Sequence, residues 1–479
     1  MLFHIVKHMQ RLEYTRGDAV RVLSFINTYI FGPVLPISVF AAGFFMSVKL
    51  KFFHITRPKT VLRGIMRSGG DGTSPFKAMS VALAGTLGVG NIAGVAAAIA
   101  SGGAGAVFWM WMSALFAMIL KYAETVLAVK HRRVISENGK KRNTGGAFVY
   151  MAASGHRRLA FLFALLCIVT SVSMGSIVQS NAIAVSLKNS FSVSAPICGG
   201  ILTVLTFIVI TGGFSMISDL TVYAVPMFCL LYTAISLYII FTNICELPAV
   251  ISRILSEAFS LRCVGSGVMG YGIVRAMRFG VARGILSNEA GSGTSVTAHA
   301  SSDAKSPCEQ GFFGILEVFV DTIVLCSMSA FVILLSGDVS PEDAAMVTAI
   351  KAYSRFIGGF APGFMSVAVV FFAFGTIICW SVYGVEALRF LISDYSLKLS
   401  FAKCKKLYYL IYSLSVLGGC VISGEFMWEL SDISTALMTI INTAYLISAA
   451  NEVRHESIGV IGEKNIRAER QKRINIPFV

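Results

Sequence analysis

The sequence predicts an all-α polytopic membrane protein of about eleven transmembrane helices, with a five-plus-five inverted-repeat core, two broken helices and one extra N-terminal helix. Three observations predict it. Of 479 residues, 55% are hydrophobic and only 14% charged, with a mean hydropathy of +0.74; a soluble chain carries about 25% charged residues. The apolar residues fall in runs of about 18 to 25, each enough for one crossing. Glycines cluster inside two of those runs, where a spanning helix should be regular.

A mixed, charged lead covers residues 1–29. It is too long and too polar for a cleaved signal, so the run at 30–50 reads as a retained extra helix. The next runs lie near 78–100, 105–129, 159–187, 194–211 and 219–243 and form a first repeat over 78–243. Runs near 264–285, 311–336, 362–391, 407–423 and 428–450 form a second repeat over 264–450. Residues 451–479 are a basic tail.

Loop charge sets the orientation. Residues 51–77 hold six Lys/Arg against one Asp, residues 130–158 hold eight against one Glu, and residues 392–406 hold four Lys against one Asp. The loop 337–360 carries Asp338, Glu342 and Asp343. With these crossings the basic loops share one side, which the positive-inside rule makes cytoplasmic, the C-terminal tail included. The lead falls outside despite a slight positive excess. The net charge of +15 is therefore topological rather than a nucleic-acid footprint. Ten dispersed cysteines without a C-x-x-C pair and seven scattered histidines indicate neither a disulfide framework nor a transition-metal site.

The stretch Gly85-Thr86-Leu87-Gly88-Val89-Gly90-Asn91-Ile92-Ala93-Gly94 interrupts the first core helix. Alone it has two readings, an unwound segment lining a protected cavity or a glycine face for close helix packing. A second cluster, Gly265, Gly267, Gly270 and Gly272, falls in the sixth core helix. Two breaks in matching places of two five-helix halves point to an inverted-repeat transporter. Polar residues at membrane depth add to this. Gln179 and Asn181 need partners, Asn181 as interhelical glue and Gln179 as either glue or a solute contact. Asp321 marks function or a fixed ion pair, and Arg275, Arg278 and Arg283 are its available partners. Thr376 and Trp380 share one helix face. Lys121 with Glu124, and Glu386 with Arg389, read as local pairs at the membrane edge.

Together, several segments resemble the alanine or glycine:cation symporter family. They are GTLGVGNIAGV from Gly85, KYAETVLAVKHR at 121–132, VQSNAIA at 178–184, GVARGILSNEAGSG at 280–293, AHA at 298–300, VFVDTIV at 318–324 and FAFGTIICWSVYG at 372–384. The resemblance implies a leucine-transporter-type fold in the cell membrane and sodium-coupled uptake of alanine, glycine or similar small neutral amino acids, with sodium as coupling ion and no organic cofactor. It implies a substrate site at Thr86, Gly88, Gly90, Asn91, Gln179, Thr376 and Trp380, with Trp380 limiting side-chain size. The freed carbonyls of Gly85 and Leu87, with the Thr376 hydroxyl, would hold sodium. Asn288 and Glu289 read as structural or gating residues, as does Asp321. The chain departs from the family at Val89, where threonine is usual, at Thr294–Ala300, and at Ile441, where proline is usual. Ser327 and Ser329 stand where the family has threonines. A proton-coupled carrier of the same fold is the alternative. A membrane-embedded enzyme is more remote, since no Ser/His pair, facing aspartates or H-E-x-x-H motif is present.

Overall fold

The computed structural model describes residues 20–27, 32–66, 74–137, 140–259, 271–337, 339, 343–422 and 425–462. It is built almost entirely of helices. Helix α1 is Gly32–Lys49. The first broken helix comprises α2 (Pro75–Thr86) and α3 (Ala93–Gly102). Then follow α4 (Gly105–Lys130), α5 (Arg157–Phe191), α6 (Ala195–Thr211) and α7 (Gly213–Thr242). The second half has α8 (Tyr271–Asn288) and α9 (Val296–His299), then α10 (Pro307–Ser336), α11 (Phe360–Asp394), α12 (Phe401–Val421) and α13 (Glu425–Ser448). Among the described residues, seven helices are long and apolar enough to cross a membrane.

Local chemistry sets the helix starts. Ser74 caps α2 by accepting the Lys77 N–H at 3.2 Å, with Pro75 at the first helical position. Ser306 and Pro307 repeat the device at α10, with Glu309 N–H as the donor. Helix α4 is the most enclosed of the seven, with 83% of its apolar window buried. Small residues let neighbours close on it: a Cβ at Gly311 would lie 2.7 Å from the Tyr122 ring, and one at Gly314 would lie 2.9 Å from Thr125 Oγ1. By contrast, α7 keeps only 39% of its window inside and presents Tyr223, Leu230 and Phe241 outward, as lipid-facing side chains do.

Two helices widen into π-turns mid-span, α5 at Ser173–Val178 and α10 at Phe319–Cys326. Such widenings put side chains out of regular register and recur at functional sites.

The helices follow the predicted runs within a few residues. Three features differ. A hairpin, Arg133–Glu137 with Lys140–Thr144, lies in the basic loop after α4. Amphipathic helices Leu247–Ala258 and Ala345–Ile357 lie between apolar runs. The third concerns the second break. Of the glycine cluster expected to form it, Gly265, Gly267 and Gly270 lie outside the described residues, and Gly272 is helical. The break that the structure describes lies later, between α8 and α9. Glu289, Gly291 and Gly293 there have φ of 52°, 80° and 74°, and the two glycines adopt this left-handed geometry at little cost.

Candidate functional site

At the first break, α2 stops after Thr86 and a short 3-10 turn, Val89–Asn91, leads into α3. The Leu87 N–H still reaches Leu83 O at 2.7 Å, but the Gly88 N–H turns to Thr86 O at 2.9 Å. The Val89 N–H leaves the helix ladder altogether and donates to Gln179 Oε1 at 3.2 Å. Gln179 therefore holds the opened backbone, and the π-turn before it in α5 sets its position. Gly88 is pinched between two side chains: a Cβ there would lie 2.9 Å from both Gln179 Oε1 and Thr376 Oγ1.

Thr376 Oγ1 lies 3.2 Å from each of three carbonyls, Ala84 O, Leu87 O and Phe372 O. One hydroxyl hydrogen cannot satisfy all three. The oxygens of Ala84, Leu87 and Thr376 thus converge at the carbonyl end of α2, the negative end of a helix dipole. Of the expected cation residues, Leu87 and Thr376 meet here, with Ala84 beside them. The α-carbon of Gly85 faces the Tyr383 hydroxyl closely enough that any side chain would collide. The Thr86 hydroxyl is turned back to Leu83 O at 3.1 Å.

A cavity of about 210 Å³ opens beside the break, lined by Val89, Gly90, Gln179, Arg283, Leu286 and Trp428. Gly90 also abuts the second broken helix, since a Cβ there would sit 3.5 Å from the Ser287 backbone. Both breaks and α5 meet at this point.

Asn91 and Trp380, both expected at the pocket, are each held by a buried carboxylate. The Asn91 amide donates to Asp321 Oδ1 at 2.7 Å and to Asp321 O at 3.1 Å, and its own Oδ1 has no partner. The Asp321 carboxylate also accepts from Ser287 at 2.9 Å and Thr322 at 2.8 Å. Its hydrogen-bond donors are neutral, so the arginine pairing read from the sequence is not the one formed. The long span between Arg283 and Asp321 along separate helices left that pairing open to side-chain direction. Asn288 ties the second break to the same helix, donating to Thr322 Oγ1 at 3.0 Å.

The Trp380 indole N–H donates to Glu289 Oε1 at 3.0 Å, and a Cβ at Gly175 would run into its ring. Glu289 belongs to a buried polar group behind the cavity. Lys121 Nζ donates to Ser295 Oγ at 2.6 Å and lies 3.5 Å from both Glu124 Oε1 and Glu317 Oε1. His299 Nε2 meets Glu317 Oε2 at 2.6 Å, and Gln310 Nε2 meets His299 Nδ1 at 2.7 Å. Glu124 Oε2 accepts from Asn442 at 2.9 Å and from Gly293 N–H at 3.1 Å. Lys121 and Glu124 are thus fully buried members of a network, not the edge pair expected from their spacing. Of these partners only Gly293 lies in the motif SNEAGSG, and no sequence interval links residue 121 to residue 317. Asn181 is interhelical glue as expected, donating to Gly419 O at 3.1 Å.

The model of the sodium:alanine symporter family matches residues 17–458. The chain is 31% identical over 451 residues to the sodium/alanine symporter AgcS of Methanococcus maripaludis, covering 92% of this chain and 97% of that one. It is 32% identical over 432 residues to the amino-acid carrier protein AlsT of Bacillus subtilis, covering 89% and 88%. Among solved structures, the manganese transporter of Eremococcus coleocola resembles it in fold, with a TM-score of 0.51 at 14% identity over 81% of this chain and 78% of that one.

Proposed function

The chain belongs to the sodium:alanine symporter family, and from that premise we propose that it takes up small neutral amino acids, alanine or glycine, with sodium by alternating access. The observation that carries this reading is the opened backbone at Thr86–Asn91, held by Gln179 and Thr376 beside a cavity. The amide end of α3 offers N–H groups and positive dipole to a carboxylate. The freed carbonyls of Ala84 and Leu87, with the Thr376 hydroxyl, offer hard oxygens to sodium on the opposite side of the break. Gly88 and Gly90 keep the backbone bare where a solute must approach. Gln179 fixes the register of the opened turn. Trp380 stands behind it as the wall that limits side-chain size. Asn91 holds the turn against Asp321, which lends α10 to the site.

Sodium stabilises the closed turn that binds the amino acid, and the amino acid strengthens sodium binding equally, because coupling is reciprocal. The broken helices, which touch at Gly90 and Ser287, then rock against the remaining helices. Membrane location follows from the family and the apolar helices. A cytoplasmic C-terminus is the orientation favoured by loop charge.

The test is uptake of radiolabelled amino acids into proteoliposomes. Alanine and glycine uptake should respond to Gln179→Ala by a rise in KM of about tenfold or more, the scale of one lost hydrogen bond to a buried group. Replacing Trp380 by leucine should admit larger amino acids. An unchanged KM and an unchanged substrate range together contradict the pocket.

A further inference from the structure

The second break contains a closed hydrogen-bond ring whose hydrogens can be counted. Thr294 Oγ1 lies 2.5 Å from Glu289 Oε2. Ser292 Oγ lies 2.7 Å from Thr294 Oγ1 and 2.6 Å from the Glu289 carbonyl oxygen. All three residues are buried. Each oxygen–oxygen contact this short needs a hydrogen between its atoms. The ring has three such contacts, and its two hydroxyls supply two hydrogens. An ionised Glu289 supplies none, and one pair of lone pairs would then face each other at van der Waals overlap.

We propose that Glu289 binds an exchangeable proton, making the second break a proton site wired to the wall of the amino-acid pocket. With the proton on Oε2, Glu289 donates to Thr294, Thr294 donates to Ser292, and Ser292 donates to the Glu289 carbonyl. Every contact is then satisfied. Oε1 remains a carbonyl-type acceptor for the Trp380 indole. The proton comes from water and returns to it; no other bond changes.

The charges around Glu289 agree. Lys121 on α4 and Glu317 on α10 act on it through space, as do Tyr383 and Cys379 on α11 and Cys167 on α5 from their side. Glu124 and His299 complete the surrounding ionisable groups. Lys121, the nearest cation, is already shared between Glu124 and Glu317 at 3.5 Å each. A third buried carboxylate charge would lack a counterion. Backbone geometry makes the site sensitive: Glu289 holds φ of 52°, and Gly291 and Gly293 are also left-handed. A side chain with a Cβ keeps such a conformation only where its surroundings enforce it. Losing the ring hydrogen loosens that enforcement and charges the carboxylate that the Trp380 indole contacts.

The consequence at Trp380 rests on the amino-acid reading of the pocket, but the proton itself does not. Infrared spectroscopy of the purified full-length protein, without substrate, should show a protonated-carboxyl stretch that Glu289→Gln removes. Glutamine keeps the hydrogen count, its N–H donating to Thr294 and its carbonyl accepting from Trp380. In proteoliposomes, sodium-driven alanine uptake by the wild type should fall as pH is raised into the alkaline range, with no such fall in Glu289→Gln. If Glu289→Gln is not recovered folded, Thr294→Val reads the same proton, because removing its acceptor must shift the carboxyl band. A band that survives Glu289→Gln, or does not move in Thr294→Val, overturns the proposal. So does a shared pH profile in wild type and Glu289→Gln. Absence of alanine uptake at every pH, with the band present, would fault the transport reading instead.

Discussion

Gly88 concentrates the site in one missing side chain. Its neighbours Gln179 and Thr376 occupy the space a methyl group would need, and neither can move without releasing the Val89 N–H or the Leu87 carbonyl. Gly88→Ala is therefore expected to abolish uptake, with a stability cost of about 1–3 kcal/mol from overpacking. Uptake retained near the wild-type rate by the folded variant would contradict the geometry. At this scale the sequence was readable where one residue type in a membrane needs explaining. Gln179, Asn181 and Asp321 declared themselves as polar groups at depth, and Thr376 by sharing a helix face with Trp380. Their partners were not readable. Asn91 turns to Asp321, 230 positions away, and Trp380 to Glu289, 91 positions away. Such pairings depend on how helices cross, which the spacing of residues within one helix does not encode. Val89 has a simpler outcome: the role here belongs to its backbone N–H, so the lost hydroxyl leaves the contact to Gln179 intact.

Helices and their junctions carry the next set of expectations. Gly311 lets α10 lie directly on the Tyr122 ring of α4. Gly311→Val should separate the two helices and cost about 1–3 kcal/mol, seen as a lower Tm in detergent with the helical content preserved. An unchanged Tm would show that the contact has slack. At the Lys130 end of α4, a helix at Ala450–Glu456 docks through Glu452. Burial opposes the charge of Glu452, but hydrogen bonds from Lys130 and His131 outweigh it and hold the carboxyl below its usual range. A carboxyl with a depressed folded value contributes its stability above the unfolded value of about 4.3 and loses it as pH falls through the folded one. Hydrogen exchange of Ala450–Glu456 should accordingly quicken below about pH 4 in the wild type, while Glu452→Gln exchanges fast throughout. Equal protection of both proteins at neutral pH would contradict the pairing. Apolar runs located nearly all the long helices, because the bilayer demands length and hydrophobicity. The hairpin at Arg133–Thr144 and the amphipathic helix Ala345–Ile357 lie outside that demand. Among the described residues, the second helix opens where a glutamate and two glycines turn left-handed, later than the glycine cluster in which the break was sought.

For the molecule as a whole, two interrupted helices meet at Gly90 and Ser287 beside a cavity, with carbonyl oxygens freed on one side and amide groups on the other. Family membership supplies the premise of sodium and an amino acid; the geometry supplies a way for each to favour the other. The central claim is that coupling, and equilibrium binding tests it most directly. Alanine affinity of the purified protein should be measured in sodium and in choline at one pH, for the wild type and for Thr376→Ala. The account predicts alanine binding at least about tenfold tighter in sodium, a coupling of about 1.4 kcal/mol, and loss of that difference in Thr376→Ala. Alanine affinity that is the same in sodium and choline would contradict it.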